Sequence, residues 1–142
     1  MIVTDTDFLS AFLKIKRLSL VFTALGTEEI VITGAVLHEL ERSSVYNDVL
    51  EALKSKEKRL VVKAVEVHRT ETLGKGELES ITLAEKMNAL LLMNDKKATK
   101  YAEEKGIVVM NIPVFLLDCK TRNITSLDEM KRIIAELKEK DY

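Results

Sequence analysis

A chain of 142 residues, 46% hydrophobic and 32% charged, is long and apolar enough for one domain with a proper core, which excludes disorder. Its net charge of −1 excludes a protein that coats nucleic acid by bulk electrostatics, so a polyanion must meet a local patch or bound cations. No apolar run reaches the length of a membrane span, and no signal-peptide pattern opens the chain. The single cysteine, Cys119, cannot close an internal disulfide and sits in an apolar helical stretch, where core packing is expected. The expectation is a cytoplasmic domain over residues 1–142 that does not enter a membrane.

Ile2 and Val3 predict the start of a buried strand, and Phe8, Leu9, Phe12 and Leu13 recur at helical spacing directly after it. Asp5 lies on that junction, at the carboxyl end of a strand, where open α/β sheets put their chemistry. Asp7, just ahead of the apolar repeat, is expected to be the helix N-cap. Leu18 to Leu25 predicts a second helix ending near Gly26, and Ile30-Val31-Ile32 a second strand. Thr33-Gly34 then breaks the chain ahead of a helix over Ala35 to Glu41, and another runs from Val45 to about Lys54. Leu60 to Val62 with Val65 marks a third strand, followed by a polar loop from Arg69 to Gly76.

Leu78, Ile81, Ala84 and Met87 form a helical stripe, and Leu90 to Met93 is a short apolar run closed by Asn94-Asp95, read as a buried strand. A helix follows to Lys105, stopped by Gly106, and Val108 to Met110 is the last strand. Asn111 is expected to cap the next helix. Ser126 with Glu129 makes a capping box for a final helix, whose Leu127, Met130, Ile134 and Leu137 are expected to pack in the core. Short apolar strands alternating with helices imply an α/β domain, a parallel sheet of about five strands flanked by helices on both faces.

Four acids stand at comparable places: Asp5 after strand one, Glu39 on the helix after strand two, Glu77 opening a helix, and Asp95 after strand four. Glu77 is four and seven residues from Ile81 and Ala84, so it lies over the buried stripe. Glu79 is about 200° round the helix from it and is expected to be solvated. Spacing leaves Glu39 and Glu41 tied, one on either flank of the Val36/Leu40 face. Each acid also has a plain structural role open to it. Asp95 can be an N-cap, Glu77 a favourable charge at a helix N-terminus, and Glu39 part of a solvated face. If strands one and four are neighbours, Asp5 and Asp95 converge, and crowded carboxylates call for a hard divalent cation bound through oxygen.

At this point the chain resembles a family. Asp5-Thr6-Asp7-Phe8-Leu9 is similar to the D-T/S-x-x-L opening of PIN-domain nucleases, and Val36-Leu37-His38-Glu39-Leu40 to their second motif. That likeness separates Glu39 from Glu41. Gly76 to Ala84 resembles the GEAEAIALA segment of a prokaryotic branch, and Leu91 to Ala98 its LLIDDKKA or LVTND segment. The ordered set spans nearly the whole chain. It implies a three-layer PIN-like domain with strand order 3-2-1-4-5. It also implies cleavage of RNA, single-stranded or structured, by metal-activated water, with Asp5, Glu39, Glu77 and Asp95 holding Mg2+ or Mn2+. Further implications are a VapC-type toxin with a small antitoxin partner, or an RNA-processing nuclease, in either case a homodimer. Three departures stand out: Glu77 where many relatives have Asp, Asn94 in place of the first of paired acids, and Thr99 in place of a frequent Arg.

Other readings are weaker or compete. Gly74-Lys75-Gly76 lacks the third glycine of a dinucleotide-binding turn, no phosphate-cradling loop is present, and no acid ends strand three as a phospho-receiver requires. His38 and His68 lack metal-site spacing, and His38 is expected on a helix surface. Lys14, Lys16, Arg17, Lys96, Lys97 and Lys100 are candidates for steering RNA, none assigned. The alternative from another class is a catalytically silent PIN-like scaffold that binds RNA or protein.

Overall fold

The computed structural model describes residues 1–68 and 72–142. In chain order these form β1 (Ile2–Thr4), α1 (Thr6–Lys14), α2 (Leu18–Leu25), β2 (Glu29–Thr33), α3 (Gly34–Leu40), α4 (Tyr46–Lys54) and β3 (Arg59–Lys63). There follow α5 (Lys75–Met87), β4 (Leu90–Leu92), α6 (Lys96–Glu104), β5 (Val109–Met110), α7 (Ile112–Thr121) and α8 (Leu127–Glu139). The expected polar loop begins at Arg69, Thr70 and Glu71, which lie outside the described residues, and its last two positions, Lys75 and Gly76, already belong to α5.

All strand pairs are parallel, in the order β3-β2-β1-β4-β5. Central β1 therefore pairs with β2 on one side and β4 on the other, with Val3 opposite both Val31 and Leu91. The chain reverses its direction of winding between β3 and β4, which makes the carboxyl ends of β1 and β4 the topological switch point.

Side chains alternate across the sheet as the two-residue period requires. Val3, Val31 and Leu91 face α5 and α6, where they pack with Ile81, Ala84, Ala98 and Ala102. Ile2, Ile30, Ile32 and Leu92 face the other way, into a larger core with α1, α2, α7 and α8. That core is centred on Phe8, Phe12 and Phe115, with Phe12 and Phe115 edge to face at 5.2 Å between ring centroids. Cys119 is fully buried in it, and burial pushes its thiol up. Two helical layers on a parallel sheet give the three-layer α/β architecture expected. Among the described residues no helix is long and apolar enough to cross a membrane.

Helix α8 departs from its expected packing. Met130 and Leu137 are buried, but Leu127 and Ile134 are 52% and 38% exposed, and Ile133 takes the core position. The Met130/Ile133/Leu137 face is centred roughly 70–90° round the helix from Leu127 and Ile134, so one helix cannot bury both against the same neighbour. Ser126 caps α8 by accepting the Glu129 N–H at 3.1 Å. The Glu129 carboxylate does not complete the box, because it turns to Arg17 and Arg132 instead.

Candidate active site

The β1/β4 ladder runs straight into the site. The Asp5 N–H donates to the Leu92 carbonyl at 2.9 Å, continuing the Thr4–Leu92 pairing by one residue. Asp5 is 2% exposed, and its Oδ1 accepts the Phe8 N–H at 2.9 Å, so Asp5 itself caps α1. This corrects the expectation for Asp7. With no spacer between β1 and α1, the first helical residue is Thr6, and the cap falls on the residue before it. Asp7 is exposed in the first turn of α1 and is a fifth acid in the neighbourhood.

Asp95, three positions beyond Leu92, caps α6 by accepting the Ala98 N–H at 2.8 Å. Both acids that end a strand thus also begin a helix, and the structural and chemical roles coexist. Asn94 between them and the sheet accepts the Ile112 N–H at 3.2 Å, and its own N–H donates to the Asp5 carboxylate. A neutral amide in this place ties β4 to the start of α7. Asn111 caps α7 through the Val114 N–H at 2.9 Å, as expected.

Glu39 comes from α3 on the neighbouring crossover. Its Oε2 accepts the Thr6 hydroxyl at 2.5 Å, which joins it to the residue after Asp5. Gly76 of α5 closes the other side: a Cβ there would collide with the Glu39 carboxylate. Glu41 stands apart with the exposed His38, 3.5 Å from its Nδ1, so Glu39 is the α3 acid in the site.

Glu79 is the largest correction to the expectations. It is 8% exposed and accepts the Ala35 N–H at 3.0 Å across α3 and α5. The Leu78/Ile81/Ala84 stripe identifies only the sheet-facing side of α5. Another side, carrying Gly76 and Glu79, meets α3 through Glu39 and Ala35, so this helix is buried on two faces at its amino-terminal end. A carboxylate one turn from a glycine on one helical face was the signal available, but only the position of α3 says what it meets.

Electrostatics join the acids into one site. Burial pushes Asp5 up to about 7 against the opposing Phe8 and Asn94 N–H groups, and the charges of Asp7 and Glu77 add to the rise. Glu77, in the first turn of α5, is raised mainly by burial and then by Asp95, Asp7 and Glu39, with Lys97 opposing. Glu77 therefore lies electrostatically among the other acids. Among the described residues, Asp5, Glu39, Glu77 and Asp95 form no ion pairs. Nor do any three acids there stand close enough to be a ready-made ion site. The acids share one end of the sheet without converging on one point.

The candidate cations divide by position. Helix α1 leaves the carboxyl end of β1, and the chain must return to the opposite end before parallel β2. Lys14, Lys16 and Arg17 are therefore remote from the acids, and Arg17 is held by Glu129 and Glu136. Lys96 and Lys97 open α6 beside Asp95.

A family model described as a PIN domain matches residues 1–142. A solved structure of a PilT N-terminus domain protein from the hyperthermophilic archaeon Sulfolobus solfataricus is similar with a TM-score of 0.57 and 22% identity. It covers 82% of this chain and 92% of that one, a likeness that bears on the fold. No curated protein matches the chain. With the model matched over residues 1–142 and the sheet order that of a PIN-like α/β fold, the chain belongs to the PIN-domain family, whose members are commonly nucleases.

Proposed function

We propose that this protein is a metal-dependent endoribonuclease, with Asp5, Glu39, Glu77 and Asp95 as its catalytic acids. The observation that carries the proposal is the parallel pairing of β1 with β4, which brings the ends from which Asp5 and Asp95 follow to one switch point, where Glu77 raises Asp5 and Asp95 raises Glu77. The donor set is all carboxylate oxygen, which suits a hard cation such as Mg2+ or Mn2+ and does not suit a soft one. Burial and mutual repulsion raise Asp5 and Glu77, a cost that a divalent cation removes. When bound, such a cation supplies Lewis-acid activation of water and neutralises charge at the scissile phosphate.

The chain's own groups prepare that site. Thr6, the residue after Asp5, fixes the Glu39 carboxylate, and the glycine at position 76 leaves room for it. Asp5 and Asp95 are held by the helices they cap. Lys96 and Lys97 supply positive charge at the rim, where a phosphate backbone would approach. Cys119 is buried in the core and takes no part as a nucleophile.

The test is cleavage of single-stranded and structured RNA by purified protein with Mn2+ or Mg2+, with Asp5→Asn as control. Metal-dependent cuts that vanish in the variant support the proposal; cuts that persist in it sink it. The second reading, a silent scaffold, draws on the lack of a ready-made three-acid grip among the described residues. It wins if RNA binds and is never cut in any divalent metal. Within the nuclease reading we further propose a homodimer acting as a VapC-type toxin under a small antitoxin, or as an RNA-processing enzyme. A short open reading frame beside the gene, whose product blocks cleavage, selects the toxin.

A further inference from the structure

A groove of about 630 Å3 runs between α7 and α8. Its floor is apolar and buried, formed by Leu116, Met130 and Leu137. Its edges are apolar and open, with Leu117, Leu127 and Ile134 at 63%, 52% and 38% exposure. On α8 the lining residues Leu127, Met130, Ile134 and Leu137 alternate by three and four, the spacing of a seam that receives another helix. This is the stripe expected to be core, and half of it lies uncovered.

The charge around the groove has one sign. Lys96, Lys120, Lys131 and Lys138 line it, and no acid does. None of these lysines is in an ion pair among the described residues. On α8, Asp128 stands three residues before Lys131 but makes no ion pair among the described residues, and Glu129 and Glu136 are turned to Arg17 on the other flank. Four unpaired lysines on an apolar cleft, in a chain of net charge −1, select an acidic occupant.

We propose that the α7/α8 groove docks an acidic amphipathic helix of a partner protein. Leucine-like residues at i, i+3 or i+4 and i+7 seat on Leu116, Met130 and Leu137, and flanking Asp or Glu pairs with Lys120, Lys131 and Lys138. Three other occupants fit less well. A second copy placed by a two-fold axis would bring like lysine rims together. Nucleic acid takes stacking platforms, and the lining's one aromatic, Tyr142, donates its hydroxyl to Ser10 and has Lys14 over its ring at 5.2 Å. A flat bilayer cannot enter a concave cleft. Because Asn94 and Lys96 also line the groove, the docked helix reaches the edge of the acid site.

The test uses the full chain and a fluorescent synthetic helix of about four turns, long enough to be helical when bound. It carries leucines at the stated spacing and glutamates beside them. The expected result is saturable binding that weakens with salt and falls about tenfold when Lys120, Lys131 and Lys138 are all changed to Glu. Ile134→Asp, at an exposed position, abolishes binding and leaves thermal unfolding unchanged. A peptide with the same leucines and lysine in place of glutamate does not bind. The proposal is overturned if the acidic peptide fails to bind, or if acidic and basic peptides bind alike. It is also overturned if an RNA oligonucleotide or an anionic vesicle occupies the groove in preference, or if Ile134→Asp converts a dimer to monomer in sedimentation.

Discussion

Asp5 is asked to be two things, and the demands conflict. As a cap it needs only an acceptor for the Phe8 N–H; as a metal ligand it needs a charge. At 2% exposure the charge is costly, and the carboxyl is pushed up to about 7. An acid whose folded value lies above its unfolded 3.8 holds its proton longer in the folded state. Its contribution to stability is therefore greatest below about pH 4, declines as pH rises through 7, and is flat above that. Asn keeps the cap without the charge. Asp5→Asn should raise stability at pH 8 by on the order of a few kcal/mol, the gap closing at pH 4, while cleavage is lost. Calorimetry of both proteins across that range checks it, and a constant gap would refute the burial argument.

Gly76 makes a complementary case. A methyl there would displace the flexible end of Glu39 without meeting backbone, and alanine favours a helix over glycine by up to about 1 kcal/mol. Gly76→Ala should leave the fold as stable or more so, yet lower kcat at least about tenfold by moving an acid out of place. Equal kcat in the two proteins would show that Glu39 does not act where Thr6 now holds it.

At the scale of elements, the contact that matters most is α3 on α5. Each helix carries one acid of the site, Glu39 and Glu77, and neither is joined to the other by a strand pairing. Glu79 provides the joint by accepting the Ala35 N–H, and Gly76 leaves room for the Glu39 carboxylate between the helices. Removing the acceptor leaves a buried N–H without a partner, at about 1–3 kcal/mol. Glu79→Ala should therefore lose that much stability and also activity, whereas Glu79→Gln, which keeps an acceptor oxygen, should retain most of both. A positioning role requires this difference between the two variants. If Gln proves as damaging as Ala, the charge of Glu79 has a direct part in the reaction.

For the whole molecule, the proposed function makes the acid-lined end of the sheet a store of repulsion that a divalent cation would release. Strand order sets the ends of β1 and β4, which Asp5 and Asp95 follow, next to one another, and the helices after β2 and β3 carry Glu39 and Glu77. Saturating Mn2+ or Mg2+ should stabilise the fold by about 2–3 kcal/mol at a hundredfold excess over Kd. Binding should release a proton when the pH lies below about 7, because Asp5 must ionise to serve as a ligand. Titration calorimetry in buffers of different ionisation enthalpy counts that proton, and chelation should reverse the gain in Tm. No proton release near pH 6 would place the ion elsewhere.

Periodicity and capping rules located the strands and all the described helices but α7, which was marked only by its expected cap at Asn111, because apolar spacing and turn residues are local properties. The same local logic named Asp5, Glu39, Glu77 and Asp95 as candidates, although only resemblance to relatives separated Glu39 from Glu41. Local signals also assigned Asp7 the cap, put Glu79 in solvent, and buried Leu127 and Ile134. The cap turned on β1 running into α1 without a spacer, and the other two on partners, present or missing, distant in sequence. The β1–β4 pairing, the seating of α3 on α5 and the open flank of α8 are long-range choices. A one-dimensional pattern reports which face of an element is apolar; only the packed molecule decides how many faces find a neighbour.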